Sequence, residues 1–575
     1  MKKDNPKRHS LRATLGMLAA ALWCATGMSV AYATVDEAML RNDAKTPGDV
    51  LTYGMGYDQK RYSPLNKINR KNVNKLTPIW NLSLDHSANA SVQPLLVDGV
   101  LYVTTHTATV AIDAISGHQL WKTPVSLPQD VYASLCCGAQ SRGAAVLGDK
   151  LFRTTVDARV LALDIKTGKP LWETKLADYK EGYAFVLAPL VANGVVMVGN
   201  SGGEFGTRGF LEGLDPQTGK SLWHVWTVPA PDEKHGDTWA DGVYLKGGAP
   251  TWITGSYDPE LDLVYWGTGN GGPWNANARG LGKDNLYSCS VLAIRPKTGE
   301  LVWYYQFTPN DAYDYDGVNE LVQADMTIDG QLRKVIMQAN RNGYFYVIDR
   351  TNGKLLRANQ FAKKLNWANG IDMKTGRPIE SEMTKKVKAS LESDEFYEVW
   401  PGAFGAKNWA PMAFDPKRNL AYVNTVNMGM RFKPTKPEYR RGAWYLGIEM
   451  GGFPAPEDGK RGALRALDPL TGKPKWSIEL DTPYLSGVLA TVGDLIFVGA
   501  MTGEFIAIDS DTGKQLWRFQ TGSGITSLPI TWERNGEQYV TVVSGSANLY
   551  QAISADPRLT NIPPGSSVWT FKLKN

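Results

Sequence analysis

A short pattern returns seven times along this chain and leaves few folds open to it. It occurs at Ala111–Trp121 (Ala-Ile-Asp-Ala-Ile-Ser-Gly-His-Gln-Leu-Trp), Ala162–Trp172, Gly213–Trp223, Ala293–Trp303, Val347–Arg357, Ala466–Trp476 and Ala507–Trp517. In each unit an apolar strand runs to an Asp (Arg295 in the fourth), whose short side chain can accept turn N–H groups. A Gly four residues on supplies a positive φ, and a second strand leads to Trp, or to Arg357 in the fifth. The Asp residues at 113, 164 and 215 are 51 apart, and those at 468 and 509 are 41 apart. Periods of this size, each holding a few short strands, indicate a β-propeller. Apolar strands upstream of the units, such as Val97–Val103 and Val492–Val498, bring each to about four strands. An eighth blade is expected from joining Ile79–Leu84 to Val568–Lys574. The prediction is an all-β, eight-bladed propeller whose 19 Trp residues are mostly structural. The repeat is interrupted at about 224–250, 358–400 and 430–462. Loops added to one face of a propeller build or cover a binding site.

Residues 1–33 have a different character. Lys2, Lys3, Lys7, Arg8 and Arg12 precede an apolar run from Leu15 to Cys24, and Ala31-Tyr32-Ala33 offers a small-x-small cleavage site. This is the layout of a secretory signal peptide, too short to span a membrane comfortably. It implies export, and it leaves a single propeller domain over 34–575. Removing five basic residues and Asp4 takes a net +4 from the formal charge of +5, leaving +1. The basic balance is thus a targeting signal, and no nucleic-acid partner is expected. The cysteines left are Cys136, Cys137 and Cys289, in a compartment where disulfides persist. Cys136 and Cys137 either bond through an eight-membered ring of unusual backbone geometry or stand as two thiols; the residues alone leave both open. No Cys-x-x-Cys-His occurs, so no covalently attached c-type haem is expected. His86, His106, His118, His224 and His235 show no short metal-binding spacing, which argues against zinc.

The Thr-Gly-x-x-x-Trp units resemble the tryptophan-docking motifs of the quinoprotein alcohol dehydrogenases. These are eight-bladed periplasmic enzymes that use pyrroloquinoline quinone (PQQ) and a metal ion. The resemblance runs from about Gly48 to Lys574 and includes Gly199-Asn-Ser-Gly-Gly-Glu204, Gly267-Thr-Gly-Asn270, Asn340-Arg-Asn-Gly343 and Lys407-Asn408. It implies a disulfide ring of Cys136 and Cys137 against one face of PQQ, with Trp252 on the other. It further implies that Arg142 forks onto the cofactor, that the backbone at Ser201, Gly202 and Gly203 approaches it, and that Arg341 and Asn408 bond it. Stacking plus guanidinium contacts suit a planar tricarboxylate.

For the metal the resemblance implies Glu204, Asn270 and Asp314, all hard oxygen donors that favour a calcium-like ion over zinc or copper. Asp316 lies two residues past Asp314, and on an extended segment both would point the same way. Family members with aspartate there form the lanthanide-dependent branch, whereas the calcium enzymes carry a small neutral residue. A third carboxylate suits a 3+ ion, and without the ion the carboxylates would repel strongly. Asp314 is the implied general base, taking the alcohol proton while hydride passes to metal-polarised PQQ. Lacking haem, the chain would pass electrons to a soluble cytochrome c. The sequence leaves the physiological alcohol and the oligomeric state, a homodimer included, open.

Each residue taken singly has an ordinary structural explanation: Trp252 as blade packing, Arg142 as a surface charge, Asp311, Asp314 and Asp316 as a solvated loop. Their ordered co-occurrence selects the enzymatic reading over a non-catalytic periplasmic propeller scaffold that binds protein segments. Four departures from the family pattern stand out. Ser91 replaces a glutamate, Val186 a small hydroxyl residue, Leu485 a tryptophan under the substrate pocket, and Val543-Ser-Gly-Ser-Ala-Asn548 a Trp-Gly-Gly stretch. Leu485 is expected to leave room for a substrate larger than methanol.

Overall fold

The computed structural model describes residues 34–85, 90–545, 550 and 556–574. The expected leader (1–33), His86 and positions 546–548 lie outside the described residues. Each repeat closes its turn through the Asp. Asp113 Oδ1 accepts the N–H of Ile115 and Ser116 at 3.2 and 2.7 Å, and Asp164 and Asp215 do the same for Thr167 and Thr218 at 2.8 Å. The turn glycines Gly117, Gly168, Gly219, Gly299, Gly353 and Gly513 all have positive φ, which L side chains rarely adopt.

The space above those glycines is taken by an indole from the preceding sheet. A Cβ at Gly168 would lie 2.4 Å from Trp121, and one at Gly219 would lie 2.5 Å from Trp172. In several of these joints the indole N–H also donates to a carbonyl of the neighbouring turn, whereas that of Trp303, over Gly353, is buried without a partner. Trp80 donates to Ala114 at 3.0 Å, Trp172 to Pro216 at 3.1 Å, Trp223 to Pro296 at 2.8 Å and Trp476 to Ser510 at 3.1 Å. Gly and Trp of the repeat therefore belong to a joint between neighbouring sheets.

Among the described residues the strands form seven four-stranded sheets and one of five strands, with two smaller sheets besides. The sheet of Leu95–Val97, Val100–Thr104, Ala108–Asp113 and Gln119–Pro124 is representative. Val100–Thr104 is buried throughout, whereas Gln119–Pro124 alternates between exposed and half-buried, as an outer strand with one wet face must. The two chain ends meet as expected: Leu76–Leu84 pairs antiparallel with Ser566–Leu573, with Leu82 opposite Val568. Trp517 of the last repeat donates to the Leu76 carbonyl at 3.0 Å, so the docking joints run across this seam too.

The segment from Val50 to Ser63 crosses between sheets remote in sequence. Val50 bridges to Leu96. Gln59 Nε2 donates to the Thr254 and Gly255 carbonyls, and fully buried Arg61 donates to Val488 O, Pro529 O and Gln93 Oε1. The interruption at 358–400 carries a two-stranded sheet and the helix Glu382–Ala389, whose N-cap Ser381 Oγ accepts the Thr384 N–H. That at 430–462 forms a three-stranded sheet with Tyr397–Val399. No helix among the described residues is long and apolar enough to cross a membrane.

Candidate active site

A cavity of about 410 Å³ gathers most of the residues singled out above. Cys136 and Cys137 follow the short 3-10 stretch Gln129–Ser134, are joined by a disulfide, and stand in the cavity wall with Trp252, Arg142, Ser201, Gly202 and Asn408. That settles the alternative the residues left open. Cys289 is a buried free thiol. A larger cavity of about 550 Å³, beside Trp400, Lys363 and Lys364, contains none of the expected site residues.

Arg142 is buried, and its backbone N–H is held by the Val186 carbonyl at 3.0 Å. Its guanidinium carbon lies 4.9 Å from the Trp252 ring centre, and its Nε has no hydrogen-bond partner. Burial lowers its pKa to about 10, so it stays charged at neutral pH. A buried guanidinium with an unused donor in a cavity wall is costly alone and well suited to an anionic ligand.

The acidic part of the wall is Glu204, Asp314 and Asp316. Arg341 binds both aspartates, Nη1 to Asp314 Oδ2 at 2.8 Å and Nη2 to Asp316 Oδ2 at 3.0 Å. It also donates to the carbonyls of Asp314 and Ala403 and, at 3.4 Å, to Asn408 Oδ1. The other Asp314 oxygen, Oδ1, and Arg341 Nε are buried without partners. Burial raises the pKa of all three carboxyls, Glu204 to about 7, and the neighbouring Asp316 charge pushes Glu204 further in the same direction. Arg341 works against the rise at Asp314 and Asp316. Despite its own burial, Arg341 is held more firmly protonated by these carboxylates. Three desolvated carboxyls in one wall, one with an orphaned oxygen, fit a bound cation, whose charge restores their ionised form. Among the described residues, no three His, Cys, Asp or Glu side chains are grouped closely enough to hold a metal ion by themselves.

Several placements differ from expectation. The segment around Asp314 is irregular, not extended, and Asp314 itself has φ +65°. Both carboxylates still meet on Arg341, because Asp311 accepts the N–H of Tyr313 and Tyr315 and curls the chain around residue 314. Asn270 is buried behind the wall, where its backbone N–H donates to Asp316 Oδ1 at 2.5 Å. Gly203 also lies outside the wall, against Pro250 and Asn270. Gly202 is needed where it is for packing: a Cβ there would lie 2.0 Å from the Gly182 carbonyl oxygen. Ser91 and Val186 line the cavity, whereas Leu485 stands behind it, clustered with Phe404 and Tyr550.

Sequence reasoning missed the apolar side of the cavity, the aromatic Phe404, Trp409, Trp444, Phe453 and Tyr550 together with Met450. The interruption at 430–462 was its signal, since it carries Trp444, Met450 and Phe453 and is tied to the site by the Tyr445 N–H on the Glu204 carbonyl at 2.6 Å. The interruptions at 224–250 and 358–400 contribute no more than Pro250 to the wall.

The family described as "Glucose/ethanol/alcohol dehydrogenase, beta-propeller domain" (PQQ) matches residues 51–359 and 458–540. A quinoprotein alcohol dehydrogenase of Pseudomonas putida, PedH, is 40% identical over 565 residues, covering 94% of each chain. A quinoprotein ethanol dehydrogenase of Pseudomonas aeruginosa is 39% identical, covering 98% of this chain and 96% of its own. Among solved structures, a europium-containing methanol dehydrogenase superposes with TM-score 0.87 at 34% identity, over 93% of this chain and 100% of its own. The disulfide, the indole beside buried arginines and the carboxylate wall occur in a chain with these relatives. It belongs to the PQQ-dependent quinoprotein alcohol dehydrogenases.

Proposed function

We propose that this alcohol dehydrogenase is an eight-bladed propeller over residues 34–575, exported to the periplasm by a leader at 1–33, that oxidises primary alcohols larger than methanol. PQQ would be held by the Cys136–Cys137 disulfide, Trp252, Arg142, Arg341, Asn408 and the backbone at Ser201, Gly202 and Gly203. Glu204, Asn270, Asp314 and Asp316 would hold a lanthanide ion, or calcium. When bound, PQQ supplies the two-electron acceptor for the alcohol's hydride and the ion supplies a Lewis acid. The chain of indole joints from sheet to sheet supports the blade count.

Asp314 is the group that takes the hydroxyl proton. Its Oδ2 is fixed by Arg341, while the buried Oδ1 has no partner and can receive the proton. With protein alone around it, burial holds its pKa well up, and a neighbouring cation returns it to the ionised state a base needs. Arg341 keeps the carboxylate in place through its bonds to the Asp314 and Ala403 carbonyls. Phe404, Trp409 and Tyr550 offer an apolar surface to the carbon chain of the substrate, which favours alcohols with more than one carbon. A soluble cytochrome c is the electron acceptor in this reading, as no haem-attachment motif occurs in the 575 residues.

The single observation that carries the mechanism is the orphaned Asp314 Oδ1 in a wall of carboxyls. Its test is reconstitution of the purified protein with PQQ and either lanthanum or calcium, followed by dye reduction with alcohols of increasing size. Turnover that needs PQQ, prefers lanthanum and rises from methanol to longer alcohols is expected. Turnover indifferent to metal would sink the metal assignment.

A further inference from the structure

We infer that Arg279 is a positioning residue for the metal site, tying together the two loops that carry its proposed ligands. The inference rests on the metal reading above. Arg279 ends the short turn Asn277–Arg279, in the long excursion between the strands Leu263–Gly267 and Ser290–Ile294, and is fully buried. It does not line the cavity and has no place in the chemistry described so far.

Its guanidinium is spent almost entirely on backbone carbonyls. Nη1 donates to the Gly271 carbonyl at 3.3 Å and to that of Pro273, Nη2 donates to that of Asp311, and Nε to Asn285 Oδ1 at 3.0 Å. Gly271 directly follows Asn270, and Asp311 precedes Asp314 by three residues. One rigid fork thus spans both ligand-bearing loops. The approach is close enough that a Cβ at Gly271 would lie 2.6 Å from Arg279 Nε.

The hold is passed on to the reacting carboxylates. The Asp311 side chain accepts the N–H of Tyr313 and Tyr315 at 3.1 and 3.0 Å, clamping the residues on either side of Asp314 in its left-handed conformation. On the other loop, the Asn270 N–H donates to Asp316 Oδ1 at 2.5 Å. Arg279 therefore fixes the spacing between Asn270 and the Asp314–Asp316 pair without touching any of the three side chains. A lysine keeps the charge but cannot reproduce a planar fork with five donors.

Arg279→Lys is expected to weaken lanthanum binding roughly 10- to 100-fold, as loss of a contact supporting a metal ligand does. The reading is a calorimetric titration of the full chain with lanthanum chloride in saturating PQQ. Alcohol KM should stay near the wild-type value while the lanthanum needed for half-maximal turnover rises. Arg350→Lys is the control. Arg350 is also buried, but it holds Asp258 and the Ala324 carbonyl outside the cavity wall; it should lower Tm and leave lanthanum affinity unchanged. Wild-type affinity in Arg279→Lys, or an equal loss in Arg350→Lys, would overturn the inference. If Arg279→Lys does not fold, Asn285→Ala, which frees Nε, decides on the same criterion, with several-fold weaker binding expected and unchanged binding overturning it. A wild-type chain that binds neither lanthanum nor calcium would refute the metal reading itself, and this inference with it, before any variant is measured.

Discussion

The indole N–H of Trp252 donates to Asp316 Oδ2 at 3.0 Å. The same oxygen meets Arg341 Nη2 at 3.0 Å, and the Asn270 N–H takes Oδ1. Asp316 is thereby fixed by donors on both oxygens, and the aromatic face and the acidic face of the cavity share a corner. A substitution on either face should be felt on the other.

Trp252→Phe keeps an aromatic wall but removes the N–H from Asp316. It is expected to weaken PQQ binding by about 1–2 kcal/mol, the worth of a charge-assisted hydrogen bond and some ring area. A fluorescence titration with PQQ measures this, and an unchanged Kd would mean that the indole does not contact the cofactor.

Asp314→Asn removes the proposed proton acceptor while preserving shape. Turnover should fall by about 10² to 10⁴, the usual contribution of general base catalysis, with the circular dichroism spectrum unchanged. Near-normal kcat would transfer the role to another residue.

Asp316→Ala should abolish the advantage of lanthanum over calcium, because two carboxylates are then left for the ion. The ratio of rates with the two ions at saturating PQQ is the measurement. If that ratio matches the wild type, Asp316 does not select the metal.

Phe571 is fully buried in the seam strand, with ring centres 5.2–5.6 Å from Phe519, Trp517 and Phe505. Phe571→Ala should cost about 3–5 kcal/mol and lower Tm clearly. A Tm equal to wild type would show that the pairing of Leu76–Leu84 with Ser566–Leu573 does not hold the ring closed.

Asp511 accepts Arg418 Nε and Nη2 at 2.9 and 3.0 Å and Arg70 Nη2 at 2.5 Å, and Arg418 first, then Arg70, hold its carboxyl well below the usual carboxylate range. The folded state thus binds fewer protons than the unfolded one, so this stabilisation is present above about pH 4 and lost as the pH falls below it. The carboxyl is a third exposed, so the network is worth at most about 1 kcal/mol. Asp511→Asn should lower Tm slightly at pH 7 and narrow the gap between Tm at pH 7 and pH 3. An unchanged gap would remove Asp511 from the acid response.

The Asp-turn-Gly-strand-Trp units and the meeting of the chain ends were legible in the sequence because each depends on local geometry or on a simple complementarity of strands. The partner of each indole was not, since Trp121 acts on Gly168 and not within its own unit. Which side chains would gather was likewise easier to read than how the chain turns to bring them there. Glu204, Asp314 and Asp316 do share a wall, but the curl at Asp314 comes from Asp311, whose side chain has no periodic signature. Leu485 was expected in the substrate pocket, yet Phe404 and Tyr550, far apart in sequence, line the wall while Leu485 packs behind it. Arg279 reads as one more surface arginine until both loops it grips are folded.

The Gly–indole joint also bears on how such a ring can be built. Most units carry a socket for the unit before them and a plug for the unit after them; the exception is the joint where Arg357 stands in for the indole and Gly472 faces Asn359. A segment copied in tandem arrives with both halves of its connections already written, so the circle can grow by duplication without inventing a contact. The converse is a shared vulnerability: blunting one plug leaves two neighbours incomplete, and damage spreads along the circle instead of staying where it began.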